Sequence, residues 1–300
     1  MRHFKTLFLS LLFVIATMFA HALTPSLSIN NIPVDFKVLS FSLMPGDTAF
    51  FTNTTNEQIS FVNPDGTKDL FIQSYIWVAP KKADIYTIQL IRANIKYQIN
   101  FLVLKSMQDI NNTPNNFKIG HYPTPYKNLK QYESPKGMIE VTPENKDFYI
   151  SAHFQLKDFL VKQASDYPKY VLIGDKLIYK LELIYQKLEE EGYVNPHIHV
   201  MSGYRTPYYN ARIGNGKSSR HIYGDAADIY IDSNYNNSMD DLNNDGHINK
   251  EDAKVLAAIV KKLDNDPNYK WLIGGIGIYG PNSVHHGFVH VDTRGFKARW

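Results

Sequence analysis

Between Leu23 and about Met107, short apolar runs alternate with polar residues: Phe36–Phe41, Ala49–Phe51, Ile59–Val62, Tyr75–Val78, Tyr86–Ile91 and Tyr97–Val103. Alternation at strand length, punctuated by turns at Pro45-Gly-Asp47 and Asn63-Pro-Asp-Gly66, predicts a small antiparallel sandwich of immunoglobulin-like character. No titratable cluster lies in it, so it reads as a placement or partner-binding module over 23–107. After it the texture changes. Asp109–Asn116 is polar and turn-rich, and Ile119–Pro125 should run extended, because proline disfavours helix in the residue before it. Residues 108–150 therefore read as a linker and lead-in, with His121 a surface or packing residue.

From 151 onward helical spacing appears. Ser151 is placed to cap a helix carrying Phe154, Phe159 and Leu160. Asp175–Glu191 carries Leu177, Leu181, Ile184 and Leu188 at helical intervals and is closed by Gly192. Strands are expected at Ile198–Met201, Ala226–Ile231 and Phe288–Asp292. Helices and strands in this mixture make 151–300 a domain of the α+β class. His197 and His199 flank the first strand on a shared face, a spacing that suits a structural or surface role before a metal site.

The chemistry gathers on the other two strands. His221 and Asp228 stand seven positions apart, across Gly224 and into a strand whose alternation puts Asp228 beside Ala226 and Tyr230. On the later strand Phe288, His290 and Asp292 share a face, with Val289 and Val291 behind. Two imidazoles and a carboxylate presented from rigid elements form a plausible three-ligand zinc site with an open fourth position.

Between these segments, Asp241–Asp252 fits a twelve-residue calcium loop. Asp241, Asn243 and Asp245 take positions one, three and five, and Gly246 makes the sharp turn. His247 would ligate through its carbonyl, Asn249 stands at nine, and Asp252 closes the loop where glutamate is more usual. A helix should follow, with Val255, Leu256, Ile259, Val260 and Leu263 on one side. The loop resembles a calcium repeat of dockerins, although no second repeat accompanies it.

Composition narrows the alternatives. Three hundred residues suggest about two domains, and 44% hydrophobic and 20% charged residues are those of an ordinary globular chain. The net charge of +3 falls to about +1 once Arg2 and Lys5 are removed with a leader, so nucleic-acid binding gains no support. Cysteine is absent, which excludes disulfides, thiolate metal sites and cysteine nucleophiles. A basic start, an apolar run from Leu7 to Ala20 and Ala20-His-Ala22 read as a signal peptide over 1–22. With no later apolar stretch long enough to span a bilayer, the expected product is exported, to the periplasm or the exterior.

Ser202-Gly-Tyr-Arg-Thr-Pro207, Ser219-Arg-His-Ile-Tyr-Gly-Asp-Ala-Ala-Asp228, Gly277–Gly280 and Phe288-Val-His-Val-Asp292 together resemble the zinc D-alanyl-D-alanine carboxypeptidase family. That family includes dipeptidases and murein endopeptidases that cut peptidoglycan peptides. The resemblance covers about 117–300 and implies a small domain with a central antiparallel sheet and packed helices. It implies His221, Asp228 and His290 as zinc ligands, Arg205 as the group binding a substrate carboxylate or carbonyl oxygen, and Ser219 as a residue lining the site. Relatives take their catalytic base from a glutamate three residues before the last ligand or a histidine two before it. Here those positions are Gly287 and Phe288. His285 and His286, on the turn entering the strand, are the substitutes, with His285 slightly ahead and Asp292 a third candidate. The expectation is an exported zinc peptidase acting on cell-wall peptides, with calcium structural. The alternative is a catalytically inactive, metal-stabilised protein that binds the cell wall.

Overall fold

A computed structural model of the chain describes residues 26–111, 113 and 115–300. The signal peptide expected over 1–22 lies outside the described residues. Among them, no helix is long and apolar enough to cross a membrane.

The first nine strands are β1 (Leu27–Ile29), β2 (Ile32–Pro33), β3 (Val38–Leu43), β4 (Thr48–Asn53), β5 (Ile59–Val62), β6 (Lys68–Phe71), β7 (Ser74–Val78), β8 (Ile85–Arg92) and β9 (Ile95–Val103). They form two sheets, ordered β2-β1-β4-β7 and β3-β9-β8-β5-β6. The sheets meet across an aromatic interior, where Phe51 meets Phe61 edge-on and Trp77 stacks on Phe101 at 4.1 Å. One pairing departs from the antiparallel expectation: β3 runs parallel to β9, with Phe41 opposite Phe101. The reason lies in what covers β3. A strand paired in parallel is normally buried on both faces, and here the second face of β3 packs on the rest of the chain. Ser40 Oγ donates to the Ile150 carbonyl, and the Ser42 N–H donates to Asp175 Oδ1 at 3.0 Å.

The second half follows as β10 (Lys105–Ser106), α1 (Met107–Asn111), β11 (Gly137–Val141), β12 (Lys169–Val171), α2 (Asp175–Glu190), β13 (Ile198–Ser202), α3 (Pro207–Arg212), β14 (Ala226–Ile231), α4 (Lys250–Asn265), β15 (Gly275–Tyr279), β16 (Phe288–Asp292) and β17 (Ala298–Arg299). β10, β11 and β12 make a three-stranded sheet, so strand β11 arises within the stretch read as a lead-in. The helix expected from Ser151 is absent. In its place are a bridge between Tyr149 and Gln155 and a single 3-10 turn over Leu156–Phe159. Asp158 turns back to accept the Gln155 N–H at 2.7 Å, and Leu160 leaves the turn extended. Phe154, Leu156 and Phe159 are buried without helical periodicity, because each enters the core from irregular backbone.

The site rests on a five-stranded sheet ordered β13-β14-β16-β15-β17, antiparallel except for its last pair. α4 packs against β14, β15 and β16, and Ala227, Ile229, Val289 and Val291 are fully buried with Leu256 and Val260 of α4. Alternation then turns Asp228 and His290 to the opposite face. α2 lies against α4 and against β3 of the sandwich. Its Tyr179 packs edge-on against Phe36 and donates its hydroxyl to Asp35. One continuous apolar core runs from Leu27 through α2 and α4 to Val291.

Candidate metal centre

Sheet register assembles the centre. Ser202 of β13 faces Asp228 of β14, Asp228 faces His290 of β16, and His290 faces Gly277 of β15. Four strands thus align one row of residues across the sheet. His221 enters from the 3-10 turn Arg220–Tyr223 that precedes β14. Gly224 ends that turn at φ +73, and a Cβ there would meet the Leu172 backbone at 2.5 Å. Only glycine combines that conformation with so close an approach.

His221 Nε2 lies 3.1 Å from Asp228 Oδ1 and 3.1 Å from His290 Nδ1, and His290 Nδ1 lies 2.9 Å from Asp228 Oδ1. All three residues are buried. Each imidazole is held by its other nitrogen: His221 Nδ1 is 2.7 Å from the Gly203 carbonyl, and His290 Nε2 is 3.0 Å from Asp292 Oδ2. A carbonyl and a carboxylate accept only, so both distal nitrogens carry the proton. The nitrogens facing inward then present lone pairs, the tautomers a metal requires.

Three acceptors facing one another repel unless a cation or a proton lies among them, and the charge balance expresses this. Burial opposes the charged form of His290, yet hydrogen bonds to Asp228 and Asp292 prevail and push its pKa up to about 9. Burial raises Asp228, but His221 and His290 outweigh it and hold the carboxyl well below the usual range. Burial lowers His221. Four-coordinate zinc with nitrogen and oxygen ligands at about 2.0–2.2 Å separates those ligands by about 3.3 Å, so shifts of a few tenths of an ångström fit the ion. Among the described residues, this is the one group of three or more histidine or acidic side chains whose ligand atoms lie together.

Around the triangle the expected residues take different places. Arg205 donates from Nη2 to Asp228 Oδ2 and from Nε to Ser202 Oγ at 2.8 Å, so its guanidinium holds the outer oxygen of the ligand carboxylate. Ser219 stands ahead of the His221 turn and lines a cavity of about 810 Å3 above the triangle. His285 and His286 also line that cavity, though neither hydrogen-bonds to the triangle. His285 has both ring nitrogens engaged, Nδ1 at 2.8 Å from the His286 carbonyl and Nε2 at 2.7 Å from the Asn282 amide. His286 is exposed and, among the described residues, hydrogen-bonds through Nδ1 alone, 3.3 Å from Ser238 Oγ. The two histidines thus differ in how fully their ring nitrogens are engaged.

Asp292, the third candidate, does not line the cavity. It is buried, accepts from His290, and takes the Gly275 N–H at 2.8 Å and Arg294 Nε at 2.9 Å. At Gly287 a Cβ would lie 3.1 Å from Met239 Sδ, with Asn249 O and Tyr279 O at 3.5 Å, so a larger residue there would require Met239 to shift. Phe288 faces the cavity and stacks on Tyr279 at 4.4 Å. His197 and His199 do not meet at a metal, since His197 Nδ1 lies 3.1 Å from the Asp232 carbonyl and His199 stacks on Tyr230.

The Asp241–Asp252 loop forms a turn at Gly246, φ +82, and leads into α4 with Asn249 as its cap. Its oxygens are directed at backbone amides. Asp241 accepts the Gly246 N–H at 2.7 Å, and Asp252 accepts those of Leu242 and Asn249, each at 2.8 Å. Its side chains are thus not drawn into one cluster of acidic ligands like that at His221.

Two residues had no motif to announce them. Lys162, on the extended stretch after Leu160, and Trp300, whose ring lies 5.1 Å from His290, both line the cavity. The role of Asp292 was signalled by its two-residue spacing from His290, which places both on one face.

Residues 152–248 match the protein-family model described as Peptidase M15. That span contains Arg205, Ser219, His221 and Asp228; the sheet supplies His290 from beyond it. Over this stretch the chain is similar to zinc-dependent metallopeptidases, which supports a hydrolase with a zinc centre. No curated protein matches the chain.

Proposed function

We propose that the protein is an exported zinc peptidase that hydrolyses peptide bonds in peptidoglycan peptides. The observation that carries the reading is the triangle of His221 Nε2, Asp228 Oδ1 and His290 Nδ1, with both imidazole tautomers fixed from behind. Zinc bound there supplies Lewis acidity toward the scissile carbonyl and toward a water molecule. Arg205 holds the Asp228 carboxylate in place and lends positive charge to the wall where the carbonyl oxygen develops its own charge. His286, whose Nε2 has no protein partner among the described residues, takes a proton from the attacking water and returns it to the leaving amine. One peptide bond and one water become a carboxylate and an amine.

The same cavity supports a second reading. Gly287 and Phe288 leave the usual base positions without a titratable group, as a metal-stabilised cell-wall-binding protein would tolerate. For the sandwich, a placement or partner-binding role is supported by Phe50, Ile76 and Val78, left exposed on β4 and β7. For the Asp241–Asp252 loop, a structural calcium ion remains the reading of its sequence pattern. Digestion of purified muropeptides by zinc-loaded protein, with product analysis before and after chelation, tests the proposal. Zinc-dependent release of amino acids or peptides is expected. A fully loaded protein that releases nothing from any muropeptide is a binding protein.

A further inference from the structure

Asn215 is the one asparagine in the 300-residue chain that is followed by glycine. It lies in the exposed stretch 213–218, between α3 and the turn that carries His221, and it lines the cavity above the metal centre. The buried Asn210 accepts the Asn215 N–H at 3.1 Å and donates from Nδ2 to the Gly216 carbonyl at 3.1 Å. These contacts leave free the two groups that can react with each other. Among the described residues, no hydrogen bond engages the Asn215 side-chain amide or the Gly216 N–H. Gly216 has no β-carbon to shield that nitrogen, and a Cβ built there would meet nothing within 4 Å. Two other asparagines differ. Asn237 lines the same cavity but precedes Ser238, whose side chain crowds the attacking nitrogen. Asn282 precedes Ser283 and is held by its own side chain, which accepts the Val284 N–H at 2.8 Å.

We propose that Asn215 is a site of self-modification: it loses ammonia to become aspartate or isoaspartate, and so places a carboxylate at the rim of the cavity. Asparagine is among the thermolabile residues, and a following glycine gives the backbone freedom to fold back on it. The Gly216 nitrogen attacks Asn215 Cγ and forms an N–Cγ bond. The Cγ–Nδ2 bond breaks, and the proton lost by the nitrogen leaves with ammonia. One water then opens the resulting ring. Cleavage of the new N–Cγ bond leaves aspartate. Cleavage of the original peptide N–C bond leaves isoaspartate, with the main chain one carbon longer ahead of Ser219 and His221. The balance is one water consumed and one ammonia released, with no oxidant, reductant or cofactor. The change needs only time and solvent, so its extent records the age of the molecule. It rests on the loop alone and is independent of the peptidase reading.

Timed incubation of the zinc-loaded full chain in mildly alkaline buffer, followed by peptide mapping with mass spectrometry, tests the assignment. A synthetic peptide spanning 211–220 is incubated beside it. The expected result is a gain of one mass unit at Asn215, divided between aspartate and isoaspartate, ahead of any gain at Asn237 or Asn282. Its rate should lie within about tenfold of the rate in the free peptide, as an open loop allows. Gly216→Ala should slow the conversion about tenfold or more. That variant should melt with the parent, because Gly216 is not left-handed and its Cβ has room. Conversion more than about tenfold slower than in the free peptide overturns the proposal, because the fold then protects the site. So does an undiminished rate in Gly216→Ala, or earlier conversion at Asn237 or Asn282.

Discussion

Asp292 Oδ2 lies 3.0 Å from His290 Nε2, two residues back along β16. This carboxylate does not face the cavity as a base. It fixes the proton on the far side of the imidazole and leaves Nδ1 bare toward His221 and Asp228. Arg294 and the Gly275 N–H hold Asp292 in turn, and burial makes the arrangement rigid. Asp292→Asn, which keeps the shape and removes the charge, should weaken zinc binding about 10- to 100-fold. Competition against a chromophoric chelator measures it. Unchanged affinity would mean that Asp292 does not orient the ligand.

The candidate metal ligands give the coarser test. His221→Ala or Asp228→Ala should abolish stoichiometric zinc, read by elemental analysis of the purified chain as a fall from about one ion per molecule. Zinc retained in both variants would sink the site.

A proton competes with the metal. In the metal-free protein the His290 pKa rises from 6.5 to about 9. Between those values the folded protein binds more protons at His290 than the unfolded chain does. The contribution of His290 to metal-free stability should therefore be fully present below pH 6.5 and be lost as pH rises through 9. Zinc replaces that proton, so its binding at pH 7.5 should release about one proton, and apparent affinity should climb about tenfold per pH unit toward pH 9. Calorimetry in buffers of different ionisation enthalpy counts the proton. Zinc binding without proton release would contradict the arrangement.

His285 and His286 separate by hydrogen bonding, and kinetics should follow. His286→Ala should lower kcat on a muropeptide about 100-fold with zinc retained. His285→Ala should cost less than about tenfold, because both its nitrogens are already engaged and its contribution is to shape the turn. Phe288→His added to His286→Ala places an imidazole on the cavity face of β16 and should recover part of the loss. Equal losses from the two alanine variants would remove the distinction.

The Asp241–Asp252 loop invites two separable measurements. Asp252 accepts backbone N–H groups from Leu242 and Asn249, so Asp252→Ala should cost about 2 kcal/mol or more whether or not calcium is present. If calcium also binds, millimolar calcium should raise the melting temperature of the parent, and the rise should vanish in Asp245→Ala. A parent indifferent to calcium would leave a loop held by hydrogen bonds alone.

Much of the centre was legible in the chain because its information is local. The spacing of His221, Gly224 and Asp228 encodes a turn into a strand, and the alternation around His290 encodes the face that strand presents. The periods of α2 and α4 were equally plain, since each helix buries one apolar stripe. The stretch after Ser151 misled for the same reason. Phe154 and Phe159 looked like a helical face, but their burial is set by packing against distant elements. Parallel pairing of β3 with β9 was likewise hidden, because it depends on α2 covering the outer face of β3.

By itself, the sequence determined the candidate ligand types, the strands that carry Asp228 and His290, and the turn that carries His221. Only the tertiary structure decided that Asp228 and His290 stand opposite one another in register, that Asp292 is paired with His290 and Arg294, and that Arg205 is paired with Asp228. Those decisions join residues dozens of positions apart. Periodicity and spacing act over a few residues, whereas partnership between charges is settled by which distant surfaces the core brings together.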